Sequence, residues 1–169
     1  RGCFLAACAL REGKPVPALD QTRHIASCGA MLDMSRGGVM TVAAVKGMID
    51  AHAALGLNLM MLYTEDTYTV PEAPYLGYLR GRYTEAELRE LDDYAASSGV
   101  ELVPCVQTLA HLEQFLQWEV NGEIKDNDIC LLIDEPKTYA WIREALTALR
   151  RCFRSDHIHI GMDEAHGVG

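Results

Sequence analysis

Polar residues of catalytic type stand where the chain leaves an apolar run. They are Asp33 and Arg36, Glu65 and Asp66, Gln107 and His111, and finally Asp163, Glu164 and His166. Acids with one Arg and one His suit a neutral polyhydroxyl ligand. Carboxylates and Arg hydrogen-bond hydroxyls, and a carboxyl of raised pKa protonates a glycosidic oxygen. The adjacent pair Asp163-Glu164 favours such chemistry, because a like charge raises the pKa of one member. Plainer roles compete. Asp33 and Arg36 can pair across a turn, Glu65-Asp66 can cap a turn or helix, and His111 taken alone is an ordinary core histidine. His157 and His159 share a strand face and, with Asp163, make a metal-ligand set, although structural histidines fit that pattern better. Trp118 and Trp141 read as packing residues.

These residues lie ~30 to 50 positions apart, so only a fold can gather them. The apolar run Gly29–Leu32 leads into Asp33, and Asn58–Tyr63 empties into Thr64-Glu65-Asp66. Glu101–Val106 ends at Gln107, and His157–Gly161 alternates His with Ile before Asp163. Helical spacing separates the runs. Val42, Val45, Ile49 and Ala53 precede a stop at Gly56. Thr84-Glu85-Ala86-Glu87 is a capping box opening a stripe of Leu88, Leu91 and Ala95. Pro136 suits the first turn of a helix carrying Ile142, Ala145, Leu146 and Leu149. Buried strands alternating with amphipathic helices imply parallel βαβ units. The expected fold class is α/β, a partial (β/α)8 TIM barrel comprising the first four βα units. Residues 1–27, with a short helix over Cys3–Arg11 and an extended connector, form the tail of a preceding α/β domain, and residues 28–169 form the half-barrel. A complete small doubly wound sheet is the alternative, but no Gly-x-Gly-x-x-Gly follows the first strand.

The 169 residues are 49% hydrophobic and 23% charged, a globular composition with room for one domain. A net charge of −9 argues against nucleic acid as a partner. The basic cluster Arg150, Arg151 and Arg154 reads as a helix C-terminus complementing its dipole. No run approaches the ~20 apolar residues of a membrane span. The six cysteines show no zinc spacing and read as buried, reduced thiols, which points to a cytoplasmic setting. Neither a metal nor another cofactor is expected.

The residues resemble family 20 of the glycoside hydrolases, the β-N-acetylhexosaminidases. His159-Ile160-Gly161-Met162-Asp163-Glu164 resembles that family's His-x-Gly-Gly-Asp-Glu signature, and Leu32-Asp33-Met34-Ser35-Arg36 resembles its first-strand Asp-x-x-Arg. Thr64-Glu65-Asp66 is similar to its Thr-Asp-Asp, and Pro104 through His111 to its third strand. The stretches Leu62-Tyr63-Thr64-Glu65-Asp66-Thr67-Tyr68 and Gly161-Met162-Asp163-Glu164-Ala165-His166 resemble a divergent bacterial branch. Departures fall at Cys28, Gln107 and Met162, where Arg, Asp and Gly are usual. The resemblance implies an exo-acting enzyme on glycans ending in N-acetylglucosamine or N-acetylgalactosamine. Glu164 would be the general acid/base, and Asp163 would hold the 2-acetamido group whose oxygen attacks the anomeric carbon, a substrate-assisted retaining mechanism. Arg36 would grip sugar hydroxyls, with one of Glu65 and Asp66 as a site acid and His111 and His166 as further substrate contacts. A metal-dependent hydrolase and a non-catalytic carbohydrate-binding relative are the alternatives.

Overall fold

A computed structural model describes every residue except 1, 19, 21 and 23. Its centre is a parallel sheet in the order β1 (Gly29–Asp33), β2 (Leu59–Tyr63), β3 (Glu101–Cys105). The register is regular, Leu32 lying against Leu62 and Leu62 against Pro104. The expected fourth strand lies parallel beside β3 over residues 157–161, reduced to one bridge, Cys105 with His159. Val106 N–H donates to His159 O at 2.9 Å, and His159 N–H to Pro104 O at 2.9 Å. Three βα units and a fourth strand are therefore present, in the order of a (β/α)8 barrel.

The crossover helices form where the patterning places them. α2 (Val42–Leu55) starts at Thr41, whose hydroxyl accepts from Ala44 N–H, and ends at Gly56 in the left-handed region. α3 (Glu85–Ser97) opens on the complete Thr84/Glu87 capping box. Val45 and Ile49 of α2 and Leu88 and Leu91 of α3 bury against Met60, Leu62 and Leu102 on the sheet's outer face. After β3 the chain makes a detour that periodicity does not reveal. It comprises a four-residue helix, α4 (Glu113–Leu116), and a 3₁₀ helix, Glu119–Ile124. Phe115 from this detour stacks on Trp141 of α5 (Pro136–Arg150), ring centroids 4.9 Å apart. Trp141 is thus a packing residue, while half-buried Trp118 joins Tyr75 and Tyr78 in a surface cluster.

Several expectations need correction. Arg151 and Arg154 do more than complement a dipole: Arg151 pairs with Glu85 at 2.8 Å, and Arg154 with Asp92 at 2.7 Å and with Asp93. These pairs tie α5 to α3. Cys105, Cys130 and Cys152 are buried, but Cys3, Cys8 and Cys28 are exposed. Ile158 packs on the core, whereas Ile160 is 43% exposed.

The inner face of the sheet is less covered than the outer. Met31 on β1 is 46% exposed, and α1 (Gly2–Arg11) buries no residue. The accessible surface, 9535 Å², exceeds the roughly 8,300 Å² of a compact monomer of this mass. No helix among the described residues is long and apolar enough to cross a membrane.

Candidate active site

The acids gather at the C-terminal ends of the strands, where parallel strands hand over to their loops. At the exit of β1, Asp33 Oδ1 accepts from the backbone N–H groups of Ser35 and Arg36, and its Oδ2 from Arg36 Nε at 2.9 Å. The turn pairing expected of Asp33 and Arg36 is therefore present. Although burial opposes it, these bonds hold the Asp33 carboxyl below the usual range. Arg36 also faces the neighbouring exit, its guanidinium 4.9 Å from the centre of the Tyr63 ring and its Nε 3.7 Å from Glu65 Oε1.

The two acids after β2 separate in role. Glu65 is buried and accepts from Tyr63 Oη at 2.9 Å and Ser35 Oγ at 2.8 Å. Asp66 is buried deeper and forms an ion pair with Arg80 Nη2 at 3.1 Å, without hydrogen-bond alignment. Burial pushes the Asp66 carboxyl up against the opposing pull of Arg80. Arg80 also donates to Ser35 Oγ, so a loop residue 14 positions after Asp66 braces both exits. Gly77 makes this fit possible: a Cβ there would lie 2.3 Å from Asp66 O.

At the exits of β3 and the fourth strand, Gln107 Nε2 donates to Tyr63 Oη at 2.9 Å and to Asp163 Oδ1 at 3.2 Å. His111 Nε2 lies 3.5 Å from Asp163 Oδ2 and 3.2 Å from Glu164 Oε2. The carboxyl of Asp163 is held below its ordinary range by its own backbone N–H and by Gln107, with His111 and His159 adding to the effect. Glu164 is mostly exposed, as a group that meets a ligand must be.

Of the candidate residues, Arg36, Glu65, His111, Asp163 and Glu164 line one mouth, and Asp66 lies behind it. For His166 the structure shows a backbone contact, its carbonyl accepting from Asn127 Nδ2 at 3.3 Å. The metal-ligand set of His157, His159 and Asp163 is not gathered. His157 Nδ1 instead meets Glu101 at 2.9 Å, near the other end of the sheet. Among the described residues, the His, Cys, Asp and Glu groups close enough to share one ion are His111, Asp163 and Glu164, within 4.8 Å of one another. Sequence reasoning missed Tyr63, Ser35 and Arg80. Tyr63 gave a misleading signal, because a tyrosine that ends an apolar strand reads as core. Arg80 had none, because its place depends on how the long loop folds back.

A parallel sheet with polar and acidic groups gathered at the C-terminal ends of its strands is the arrangement on which (β/α)8 barrel enzymes build their sites. The model of the glycosyl hydrolase family 20 catalytic domain matches residues 28–167, and the chain belongs to that family. It is 24% identical over 187 residues to a β-hexosaminidase of Emericella nidulans, covering 92% of this chain and 31% of that protein. Among solved structures, it is similar to the Streptomyces plicatus N-acetyl-β-hexosaminidase bound to Thio-NAglucal, at 27% identity and TM-score 0.73, over 81% of this chain and 32% of that one. The Flavobacterium johnsoniae chitobiase matches at 28% identity and TM-score 0.74, over 83% and 24%. The chain thus spans about a quarter to a third of the length of these relatives.

Proposed function

We propose that residues 28–169 form the acid-bearing first half of the barrel of an exo-acting β-N-acetylhexosaminidase, preceded in residues 1–27 by the tail of another domain. The observation that carries this is the Asp163-Glu164 pair, with Asp163 anchored by Gln107 and Glu164 exposed beside His111. The substrate is a glycan ending in N-acetylglucosamine or N-acetylgalactosamine. Support for that class comes from the Streptomyces plicatus relative, an N-acetyl-β-hexosaminidase in complex with Thio-NAglucal.

Glu164 donates its proton to the glycosidic oxygen as the bond breaks, then removes a proton from the incoming water. Asp163, ionised and fixed by N–H donors, aligns the acetamido N–H of the substrate. The amide oxygen then attacks the anomeric carbon, and an oxazolinium ion forms without a covalent bond to the protein. Arg36 and Glu65 present donor and acceptor groups to the sugar hydroxyls, with His111 beside the pair.

A thiazoline mimic of the cyclised intermediate tests the mechanism. It should inhibit the full-length protein far more tightly than N-acetylglucosamine does, since intermediate-like ligands bind best. Asp163→Asn should weaken both inhibition and turnover. Accumulation of a covalent glycosyl-enzyme would contradict the reading.

A further inference from the structure

Gln107 stands where two acceptors converge. Tyr63 spends its hydroxyl proton on Glu65 Oε1, a carboxylate that also receives the hydroxyl of Ser35. The lone pairs left on Tyr63 Oη therefore face Gln107, and so does Asp163 Oδ1. Both positions call for a donor. A primary amide supplies two N–H groups from one nitrogen without adding charge, whereas a carboxylic acid has one proton at most. The same demand fixes the amide's orientation, because the reverse flip would set its oxygen against a carboxylate. Its own oxygen is left buried and without a hydrogen-bond partner among the described residues. The backbone of Gly161 presses on that side: a Cβ there would lie 2.3 Å from Gln107 Oε1 and 2.6 Å from Cδ.

We propose that Gln107 and Tyr63 are positioning residues, forming a neutral relay that locks the Asp163 carboxylate in place and ties it to the Glu65–Arg36 side of the mouth. The proposal rests on the reading of Asp163 given above. The relay explains how two strand exits that do not touch can act as one site. Movement of Glu65 or Arg36 on sugar binding would be transmitted through Tyr63 Oη and the amide to Asp163. The other titratable groups facing Asp163 are His111 and Glu164 on the loops, His159 in the fourth strand, and the buried Cys105 thiol below, which burial pushes up to about 11.

Gln107→Glu in the full-length protein is the direct test, since it keeps the shape and replaces an N–H donor with an ionisable oxygen. At low pH the new acid can share its one proton with Asp163, leaving Tyr63 Oη without its donor, and turnover is partly retained. As the pH rises that proton is lost, two carboxylates meet, and kcat acquires an alkaline limb absent from the parent. Gln107→Ala should lower kcat/KM by roughly 10- to 10²-fold with a matching loss of thiazoline affinity, as misalignment in a site does. Tyr63→Phe keeps the ring under Arg36 and should give a smaller loss of the same kind if Gln107→Glu fails to fold. Losses of activity with an unchanged pH profile and unchanged thiazoline affinity would overturn the relay, as would variants indistinguishable from the parent. A parent protein that thiazoline does not inhibit would instead remove the reading of Asp163, and the proposal with it.

Discussion

His111 and Glu164 face each other at 3.2 Å, and both hold a positive φ, 54° and 51°. Left-handed backbone is unfavourable for residues with a Cβ and concentrates where function demands it. Each of these side chains is thus presented by a strained loop that follows a strand exit. Glu164→Gly should relieve its share of this strain and leave the protein as stable or up to about 1 kcal/mol more stable. Activity should fall at the same time. Calorimetry and turnover measured on one preparation check this, and a lower melting temperature would show that Glu164 is structural.

Gly161 carries the opposite demand. It too has positive φ, and a Cβ there would lie 2.5 Å from Val106 O as well as against Gln107. Gly161→Ala should therefore loosen the fourth strand and displace the amide that holds Asp163. Amide exchange at Val106 should speed up, and turnover should fall more than stability does. An unchanged exchange rate at Val106 would contradict this.

At the far end of the sheet, His157 Nδ1 and Ser155 Oγ both meet Glu101 Oε1, at 2.9 and 2.6 Å. The bond to Glu101 raises the His157 pKa above 6.5, and the bonds from His157 and Ser155 lower that of Glu101 below 4.5. The His157 contribution is whole below about 6.5 and is lost as pH climbs through its raised value. The Glu101 contribution is whole above about 4.5 and is lost as pH drops through its lowered value. Between those limits the clasp on the fourth strand is complete. Protection of the His159 amide, corrected for intrinsic exchange, should peak in that window, and His157→Ala should abolish the alkaline decline alone.

Residues 1–169 by themselves should associate. β1 exposes nearly its whole length and presents an unpaired edge. Met31, Ile160 and Met162, 46, 43 and 56% exposed, add apolar surface. Light scattering should report oligomers or aggregates, with poorly protected amides in β1 and the fourth strand. A monodisperse monomer with a sharp two-state melt would contradict the half-barrel and favour a complete doubly wound domain.

How much of this was legible in the chain follows from the range of the forces involved. Caps are local, so Thr84 and Gly56 mark helix ends that the structure places where expected. Strand exits were legible for the same reason, since an apolar run ending in an acid is a local pattern. The fourth strand was overextended, because alternation of His and Ile does not say how much of it pairs. Arg80 escaped notice because its contact with Asp66 depends on the path of a long loop, and Tyr63 because a tyrosine ending an apolar strand reads as core. The separate fates of Glu65 and Asp66, one facing Arg36 and the other paired behind it, depend on burial and not on order.

The proposed mechanism requires Glu164 to supply the proton to the leaving group. In the full-length protein, Glu164→Gln should reduce hydrolysis of an alkyl N-acetylglucosaminide by ~10²-fold or more while substrate binding persists. A nitrophenyl glycoside, whose leaving group needs no proton, should lose far less. Equal losses on the two substrates would contradict the assignment of Glu164 as the acid.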